Sequence, residues 1–267
     1  MNFCHPDSSK SCAACCGVYN VRDGRRKILN ASIRERTRIF RTVTRDIDAI
    51  VNFSNHVGSA FDLASLDPEI HVCEYLGFVD LENLTIGCML HPNAPGNNGI
   101  DLRGLCYYGS VACKTFYCPA CTGLDFIKRE LAQKLIQDWH LYGLVATDIN
   151  YLSALIGLVE LALGEQLDLE FALRDAPAAI LGKMFDWKES WPYRGNSTIR
   201  RSCYYAKLAE AGKDRKTWVN LIKDILCFTY DLPRASREWG SHIEKEIEVF
   251  VKVYFNCKSN KFGLNIN

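Results

Sequence analysis

LCYYGSVACKTFYCPACT, residues 105–122, is the most cysteine-dense stretch of this 267-residue chain and places four cysteines within sixteen residues. A second run, SCAACC at residues 11–16, adds three more. Ten of the thirteen cysteines lie before Thr122, in less than half of the chain. This concentration predicts a thiolate-rich metal site that gathers segments far apart in the sequence. The ten candidate ligands are Cys4, Cys12, Cys15, Cys16, Cys73, Cys88, Cys106, Cys113, Cys118 and Cys121.

The overall composition is that of an ordinary globular protein. With 267 residues and 48% hydrophobic content, the chain is long enough for one large domain or two small ones. Thirty-two basic residues balance thirty-one acidic ones, so a highly charged nucleic-acid-binding protein is not expected. The N-terminus has no apolar segment typical of a secretory signal, and the most apolar window, residues 151–163, is shorter than the about 20 residues that span a membrane. We therefore expect a cytoplasmic protein without a membrane segment.

A cytoplasmic location affects how the cysteines are interpreted. Disulfides do not persist in a reducing compartment, so clustered cysteines there more often bind metal or carry out redox chemistry. Sulfur-only ligation suits zinc and iron–sulfur clusters and disfavours magnesium, calcium and manganese. Because one structural zinc ion or one cluster uses four ligands, ten thiolates predict either two metal centres or one centre with spare thiols.

Two spacings within the cysteine runs favour metal ligation. Cys12 and Cys15 form a CxxC motif followed directly by Cys16, and CxxC folds around a metal because its two sulfurs face inward. A thioredoxin-type redox pair and unliganded thiols are the alternatives, although no apolar strand precedes the motif. Residues 113–121 follow C-x4-C-x2-C, the spacing of plant-type ferredoxins. The two CxxC pairs lie about a hundred residues apart, unlike those of a zinc ribbon, so the pattern favours an iron–sulfur cluster.

Other candidate residues are weaker. Three histidines lie close to cysteines in the sequence, namely His5, His71 and His91. Each of them is more simply an ordinary hydrogen-bonded histidine than a ligand. Three cysteines of the second half lie singly in apolar helical contexts and are expected in the core, namely Cys203, Cys227 and Cys257. The chain has no dinucleotide-binding GxGxxG, Walker A, HExxH or GxSxG motif that would identify a catalytic site.

Apolar residues recur at helical spacing over residues 31–57, which predicts one long helix with Asn30 or Ser32 as its cap. The opposite face carries four arginines, Arg34, Arg38, Arg41 and Arg45. The net charge is +7 over residues 22–45 and −9 over residues 46–101. The simplest interpretation is a solvated helix face beside an acidic lobe. The alternatives are a docking strip for nucleic acid or an acidic partner, and neutralisation of an anionic thiolate–metal centre.

The remaining elements divide the chain into two parts. Residues 72–79 and 84–90 predict a hairpin with Cys73 and Cys88 near its ends, and residues 102–121 are predicted to be short and irregular. From Asp125 onwards the pattern is helical, and we place the boundary near Gly123. Helices are predicted at residues 125–144, 148–163, after Leu167, and at 197–211, 216–230 and 236–257, with Trp187 and Trp191 in a connection.

In order, the cysteine array resembles the YkgJ-type family of zinc- or iron-chelating proteins, known for a CxxCxxCC pattern. The resemblance covers about residues 3–121 and is carried by FC at 3–4, CAACCG at 12–17, CEYL at 73–76 and GCMLHP at 87–92. The chain departs from the family where seven residues separate Cys4 from Cys12 and where His91 precedes Pro92 in place of arginine. The resemblance implies a chelated zinc or iron centre. Some larger relatives resemble iron–sulfur-dependent protein lysine methylases, but no methyl-donor motif here supports that activity.

These observations predict an α+β, mainly α protein. Residues 1–123 are expected to form a cysteine-rich, metal-stapled loop and hairpin domain, packed on an α-helical domain at residues 124–267. Structural metal can supply about 10–16 kcal/mol of apparent free energy, enough to order such loops. The predicted function is metal binding with an iron–sulfur cluster in a redox or electron-transfer role. The alternatives are a zinc-stapled interaction module and an iron–sulfur-dependent enzyme that modifies a protein substrate. Nucleic acid is not expected as a partner.

Overall fold

The structure, a computed structural model, describes residues 3–60, 65–202 and 214–261. Within these ranges the chain is mostly helical and contains a single two-stranded sheet. The predicted α+β, mainly α class is therefore confirmed. No single helix in the described ranges is long and apolar enough to cross a membrane, and two consecutive helices, Trp139–Ala146 and Ile149–Leu163, reach such a length only across an 80° bend.

The prediction of one long helix in the first part was wrong. Two helices are present, α1 at Arg26–Thr42 and α2 at Ile47–Ala60, and α1 begins without a side-chain cap. The chain breaks where Asp46 accepts a hydrogen bond from the Ala49 amide at 2.8 Å and so caps α2. Arg45 lies in the break and donates to the carbonyls that end α1, including Phe40 O at 3.0 Å. Arg45 is therefore half-buried and does not belong to an exposed arginine face.

The predicted hairpin is confirmed, with shorter strands. Strands β1 (Leu76–Phe78) and β2 (Ile86–Cys88) pair antiparallel, with Leu76 opposite Cys88. The connection closes because the Asp80 carboxylate accepts from the Leu84 and Thr85 amides. Helix α1 packs on this hairpin. This arrangement places Cys88 at the open end of the sheet, next to the first cysteine run.

The segment after the hairpin is more helical than predicted. It contains a 3₁₀ turn at Arg103–Leu105 and two short helices, α3 at Gly109–Thr115 and α4 at Pro119–Gly123. Pro119 suits the first turn of α4 because its missing N–H is not needed there. Four of the ten candidate cysteines lie within these short elements or directly beside them.

The second part is a bundle of helices: α5 (Phe126–Leu135), α6 (Trp139–Ala146), α7 (Ile149–Leu163), α8 (Leu169–Ala172), α9 (Asp175–Ser190), α10 (Arg215–Tyr230) and α11 (Arg237–Lys261). The single helix expected over residues 125–144 is split, because Asp138 caps α6 by accepting from the His140 and Leu141 amides. The caps Asp125 and Asp148 lie directly before α5 and α7, close to the predicted starts.

Two further predictions for this part were wrong or fall outside the described ranges. Trp187 lies within α9 and not in a connection. The helix predicted over residues 197–211 is absent from its first part, since residues 197–202 are not helical. The rest of that helix, with Cys203, lies outside the described residues.

Helix α7 is the centre of the bundle and packs against α5, α6, α10 and α11. Beside it lies a fully buried ion pair, in which Lys188 Nζ of α9 contacts Asp148 Oδ2 at 2.8 Å with neither side chain exposed. Thr229 of α10 accepts a further hydrogen bond from Lys188. Such a pair costs desolvation energy, and removal of one partner leaves an uncompensated buried charge.

An ion-pair network joins α1 to the bundle. Arg26 Nε donates to Glu189 Oε1 of α9 at 2.8 Å, and His140 Nδ1 of α6 lies 3.4 Å from Glu189 Oε2. Burial opposes ionisation of Glu189, but hydrogen bonding to His140 and Arg26 lowers its pKa to about 2. The two parts also meet where the Tyr142 hydroxyl donates to the Phe3 carbonyl at 2.6 Å. The domain boundary near Gly123 stays a prediction.

Candidate metal centre

The first cysteine run forms a tight turn. Residues 14–16 are a single 3₁₀ turn, which Gly17 ends in the left-handed conformation at φ 81°. A Cβ at Gly17 would lie 2.3 Å from the His71 carbonyl oxygen. Both the dihedral angle and the close approach therefore require glycine at this position. The turn holds Cys15 and Cys16 against the segment that leads to Cys73.

Hydrogen bonds fasten this turn to the hairpin. The Cys73 amide donates to the Cys16 carbonyl at 3.0 Å. Ser11 is fully buried, and its hydroxyl donates to the Ile86 carbonyl at 2.7 Å and accepts from the Ile86 amide at 2.6 Å. A serine that satisfies both main-chain groups of one strand residue fixes the register between the turn and β2. The first run is thereby held beside Cys88.

The last CxxC motif is also a turn. Cys118 is the N-cap residue of α4, and the Cys121 amide donates to the Cys118 carbonyl at 2.9 Å. The N-terminal segment reaches this motif through Cys4, whose carbonyl accepts from the Cys12 amide at 2.8 Å. Segments more than a hundred residues apart in sequence therefore meet at Cys4 and Cys121.

The cysteines divide into two groups, and the first thiol group consists of Cys4, Cys12, Cys118 and Cys121. Cys4 Sγ lies 4.0 Å from Cys121 Sγ. The sulfurs of Cys12, Cys118 and Cys121 pack against the core of the helical bundle. Burial, together with the charge of Cys121, raises the pKa of Cys4 to about 12 and that of Cys118 to about 11. Burial raises the pKa of Cys12 as well, against a hydrogen bond from the Ala14 amide.

The second thiol group consists of Cys16, Cys73, Cys88, Cys106 and Cys113. Cys106 Sγ lies 3.3 Å from Cys113 Sγ. All five pack against one apolar cluster formed by α1, α2 and the hairpin. Burial raises the pKa of Cys88 to about 11, and burial with the Cys106 hydrogen bond raises that of Cys113 to about 12. Burial raises the pKa of Cys73 as well, and the charge of Cys88 raises it further.

Cys15 lies between the two groups. A hydrogen bond with the Cys16 thiol lowers its pKa to about 7, although burial opposes ionisation. The charge of Cys15 raises the pKa of Cys4 in the first group and of Cys113 in the second. Cys15 is also the one exposed cysteine among the twelve that the structure describes. None of these twelve forms a disulfide.

Two arginines lie beside the second thiol group. Arg36 of α1 is 3% exposed and donates from Nη1 to the Cys73 carbonyl at 3.3 Å, while its Nε is buried without a partner. Burial lowers the pKa of Arg36, and the charges of Cys73 and Glu74 oppose that shift. Arg103 donates to the Cys113 carbonyl at 3.4 Å and pairs with Asp101 at 2.9 Å. A buried cation with an unpartnered N–H beside clustered thiols fits a site that becomes anionic when its thiols ionise.

The sequence analysis missed Arg36, because this arginine lies on the buried face of α1 among apolar residues. The arginines that it singled out behave differently, since Arg34, Arg38 and Arg41 are exposed. The arginine of α1 that lies beside the thiols is therefore Arg36 on the inner face of the helix, and not a member of the exposed strip.

The three candidate histidines differ in their surroundings. His71 stacks on Tyr107 with 4.3 Å between ring centroids, and its Nε2 lies 3.2 Å from Glu74. His91 accepts a hydrogen bond from the Asn93 amide at Nδ1. Burial and the charge of His91 lower the pKa of His5. The predicted core cysteines Cys227 and Cys257 are half-buried, in α10 and α11.

The side chains are not arranged as a preformed metal site. Within the described ranges, no three cysteine, histidine, aspartate or glutamate side chains are placed so that they could hold one metal ion. The chemistry of the donors nevertheless fits a thiolate-bound metal, since the cysteines gather in groups of four and five at two apolar clusters. The 4.0 Å separation of Cys4 and Cys121 is close to the about 3.8 Å edge of a zinc–thiolate tetrahedron with 2.3 Å bonds.

Comparison of the chain with known protein families, with curated proteins and with solved structures finds no significant match.

Proposed function

We propose that the protein binds metal through its two thiol groups and that the first choice of cofactor is an iron–sulfur cluster in a redox or electron-transfer role. The observation that carries the proposal is the division of the sulfurs into sets of four and five, each drawn from distant segments. A four-ligand centre needs no more than one such set. The two-centre alternative from the cysteine count is thereby favoured over one centre with spare thiols.

The electrostatics of the two groups couple metal binding to the release of thiol protons. Buried thiols with a pKa of about 11 or 12 stay protonated at neutral pH, because burial and neighbouring sulfur charge both oppose ionisation. A bound cation reverses this balance, since it replaces the thiol protons and compensates the thiolate charges. Arg36, with its unpartnered Nε, is placed to offset the charge that remains.

A zinc-stapled interaction module is the second candidate function. It is favoured by the 4.0 Å separation of Cys4 and Cys121, because a single tetrahedral ion holds its sulfurs close together. A [4Fe–4S] cluster binds one cysteine on each iron and therefore holds the cysteine sulfurs farther apart, whereas a [2Fe–2S] cluster also brings two sulfurs together on each iron.

A cytoplasmic location belongs to this proposal. It is supported by the thiols themselves, since ten clustered cysteines without a disulfide in the described ranges suit a reducing compartment.

Anaerobic purification followed by metal and acid-labile sulfide analysis tests the proposal. The expected result is a coloured protein that contains iron and sulfide and whose visible absorption is bleached by dithionite. A colourless protein with stoichiometric zinc would select the second candidate. A chain that binds neither metal, and whose fold is unchanged by exhaustive chelation, would contradict both.

A further inference from the structure

A basic cleft lies on the side of α1 that faces away from the thiol groups. It has a volume of about 750 Å³ and opens between the start of α1 and the segment after α9. Six basic side chains and one carboxylate line it: Arg25, Arg26, Lys27, Arg34, Arg194, Arg200 and Glu189. Ligand pockets usually have mostly apolar walls, so a wall dominated by cations indicates an anionic ligand.

Only part of this charge is neutralised within the protein. Arg25 pairs with Asp23, and Arg26 pairs with Glu189. Of the remaining four cations, Arg200 is only 4% exposed, yet its hydrogen bonds go to main-chain carbonyls, including Glu189 O at 2.8 Å. Among the residues that the structure describes, no carboxylate lies within ion-pairing distance of Lys27, Arg34, Arg194 or Arg200.

The main chain adds to this positive field. Helix α1 has seventeen residues, and no side chain caps the N–H groups of its first turn. A helix N-terminus presents free N–H donors and the positive end of the helix dipole, which together favour phosphate groups. Arg25 and Lys27 flank this end and line the cleft, so the N-terminus of α1 lies at the cleft beside its cations.

The cleft continues along α1. A second concavity of about 370 Å³ is lined by Arg34, Arg38 and Arg41, and Arg34 belongs to both. Arg38 pairs with Glu35 and Arg41 donates to the Asp80 carbonyl, so both are held in place on the surface. From Lys27 to Arg41 the helix rises about 21 Å. That length is greater than the size of one phosphate group and corresponds to about six successive phosphates along a stacked strand.

We propose that the cleft and the strip along α1 bind the phosphate backbone of single-stranded nucleic acid. The near-zero net charge of the chain does not oppose this, because the charge is segregated and residues 22–45 have a net charge of +7. Five of the six cleft cations are arginines, whose planar fork donates two parallel hydrogen bonds to a phosphate. The cleft and strip contribute phosphate contacts, which position a strand without selecting its sequence.

Fluorescence anisotropy with labelled RNA and DNA of about twelve nucleotides, between about 50 and 200 mM salt, tests the proposal. The cleft variant is Lys27→Glu/Arg34→Glu, whose side chains are both exposed. The control is Lys216→Glu/Lys252→Glu, which makes the same charge change at exposed positions of α10 and α11. Circular dichroism checks folding, and Lys27→Ala replaces the double variant if that one unfolds.

Wild-type protein should bind both the RNA and the DNA oligonucleotide, and its affinity should fall as the salt concentration rises. The cleft variant should lose about tenfold or more in affinity, and its salt slope should be shallower by about 1.4, which corresponds to two lost phosphate contacts. The control should bind as wild type does. Equal losses in variant and control, or no binding by wild type, would overturn the proposal. Equal affinity for ATP alone would reassign the cleft to small phosphate esters, and binding of polyglutamate without nucleic acid would reassign it to an acidic protein.

Discussion

Removal of sulfurs from one thiol group should remove one metal centre and leave the other. The first-group variant is Cys12→Ala/Cys118→Ala, and the second-group variant is Cys73→Ala/Cys88→Ala/Cys106→Ala. The first variant leaves two of four sulfurs in its group, and the second leaves two of five. Even if Cys15 joins the depleted group, only three thiolates are available there, fewer than the four that a structural centre uses.

The expected metal content follows from this count. Because each group suffices for one centre, each variant should keep the metal of the intact group, which is about half of the wild-type amount if both centres are of one kind. Combined, the two sets of substitutions should abolish binding. Cys227→Ala is the matched control, since that thiol is half-buried in α10 among apolar residues and belongs to neither group. Its metal content should equal that of wild type.

Metal and sulfide analysis of anaerobically purified protein, with the visible spectrum of each variant, measures the outcome. The spectrum also assigns the centres, because a cluster in the second group would make the second-group variant colourless and leave the first-group variant coloured. Complete metal loss in the first-group variant alone would refute the two-group reasoning, as it would mean that one centre uses sulfurs from both groups. Wild-type metal content in both variants would refute thiolate ligation altogether.

Three stability predictions concern residues outside the two thiol groups. Lys188→Met should lower the free energy of unfolding by about 3–5 kcal/mol in urea titrations, because it leaves Asp148 buried and unpaired. Gly17→Ala should cost about 2–5 kcal/mol by the same assay, whereas Gly164→Ala, at φ 71° with no atom within 4 Å, should cost only about 1–2 kcal/mol. Glu189 has a pKa lowered to about 2, so the stabilisation it gives is complete above pH of about 4.5 and is lost as pH falls towards 2. The stability difference between wild type and Glu189→Gln should shrink over that interval.

The sequence predicted those elements whose boundaries carry a local chemical signal. Asp125 and Asp148 lie before apolar periodic segments and cap α5 and α7. Two short strand-like runs joined by residues 80–83 predicted the hairpin. The helix breaks were missed for a physical reason. Asp46 and Asp138 are also cap residues, and each starts a new helix. Apolar residues continue at helical spacing on both sides of each of them, so the periodicity predicted one continuous helix in both places.

The cysteine count indicated which residues are candidates, but sequence spacing does not determine which sulfurs share a neighbourhood. Arg36 was missed because a buried arginine at an apolar position of a helix has no signature in the sequence. Its location is clear only once α1 is packed on the segment that contains Cys73.

The local conformation of the first cysteine run accounts for the two groups. A 3₁₀ turn has three residues per turn, so consecutive side chains point about 120° apart. Cys16 packs against the apolar cluster of the second thiol group, and its carbonyl accepts from the Cys73 amide. Cys12 precedes the turn and is tied by its amide to Cys4, which contacts Cys121 instead. Cys12 and Cys16, four residues apart in one short motif, thus belong to different groups.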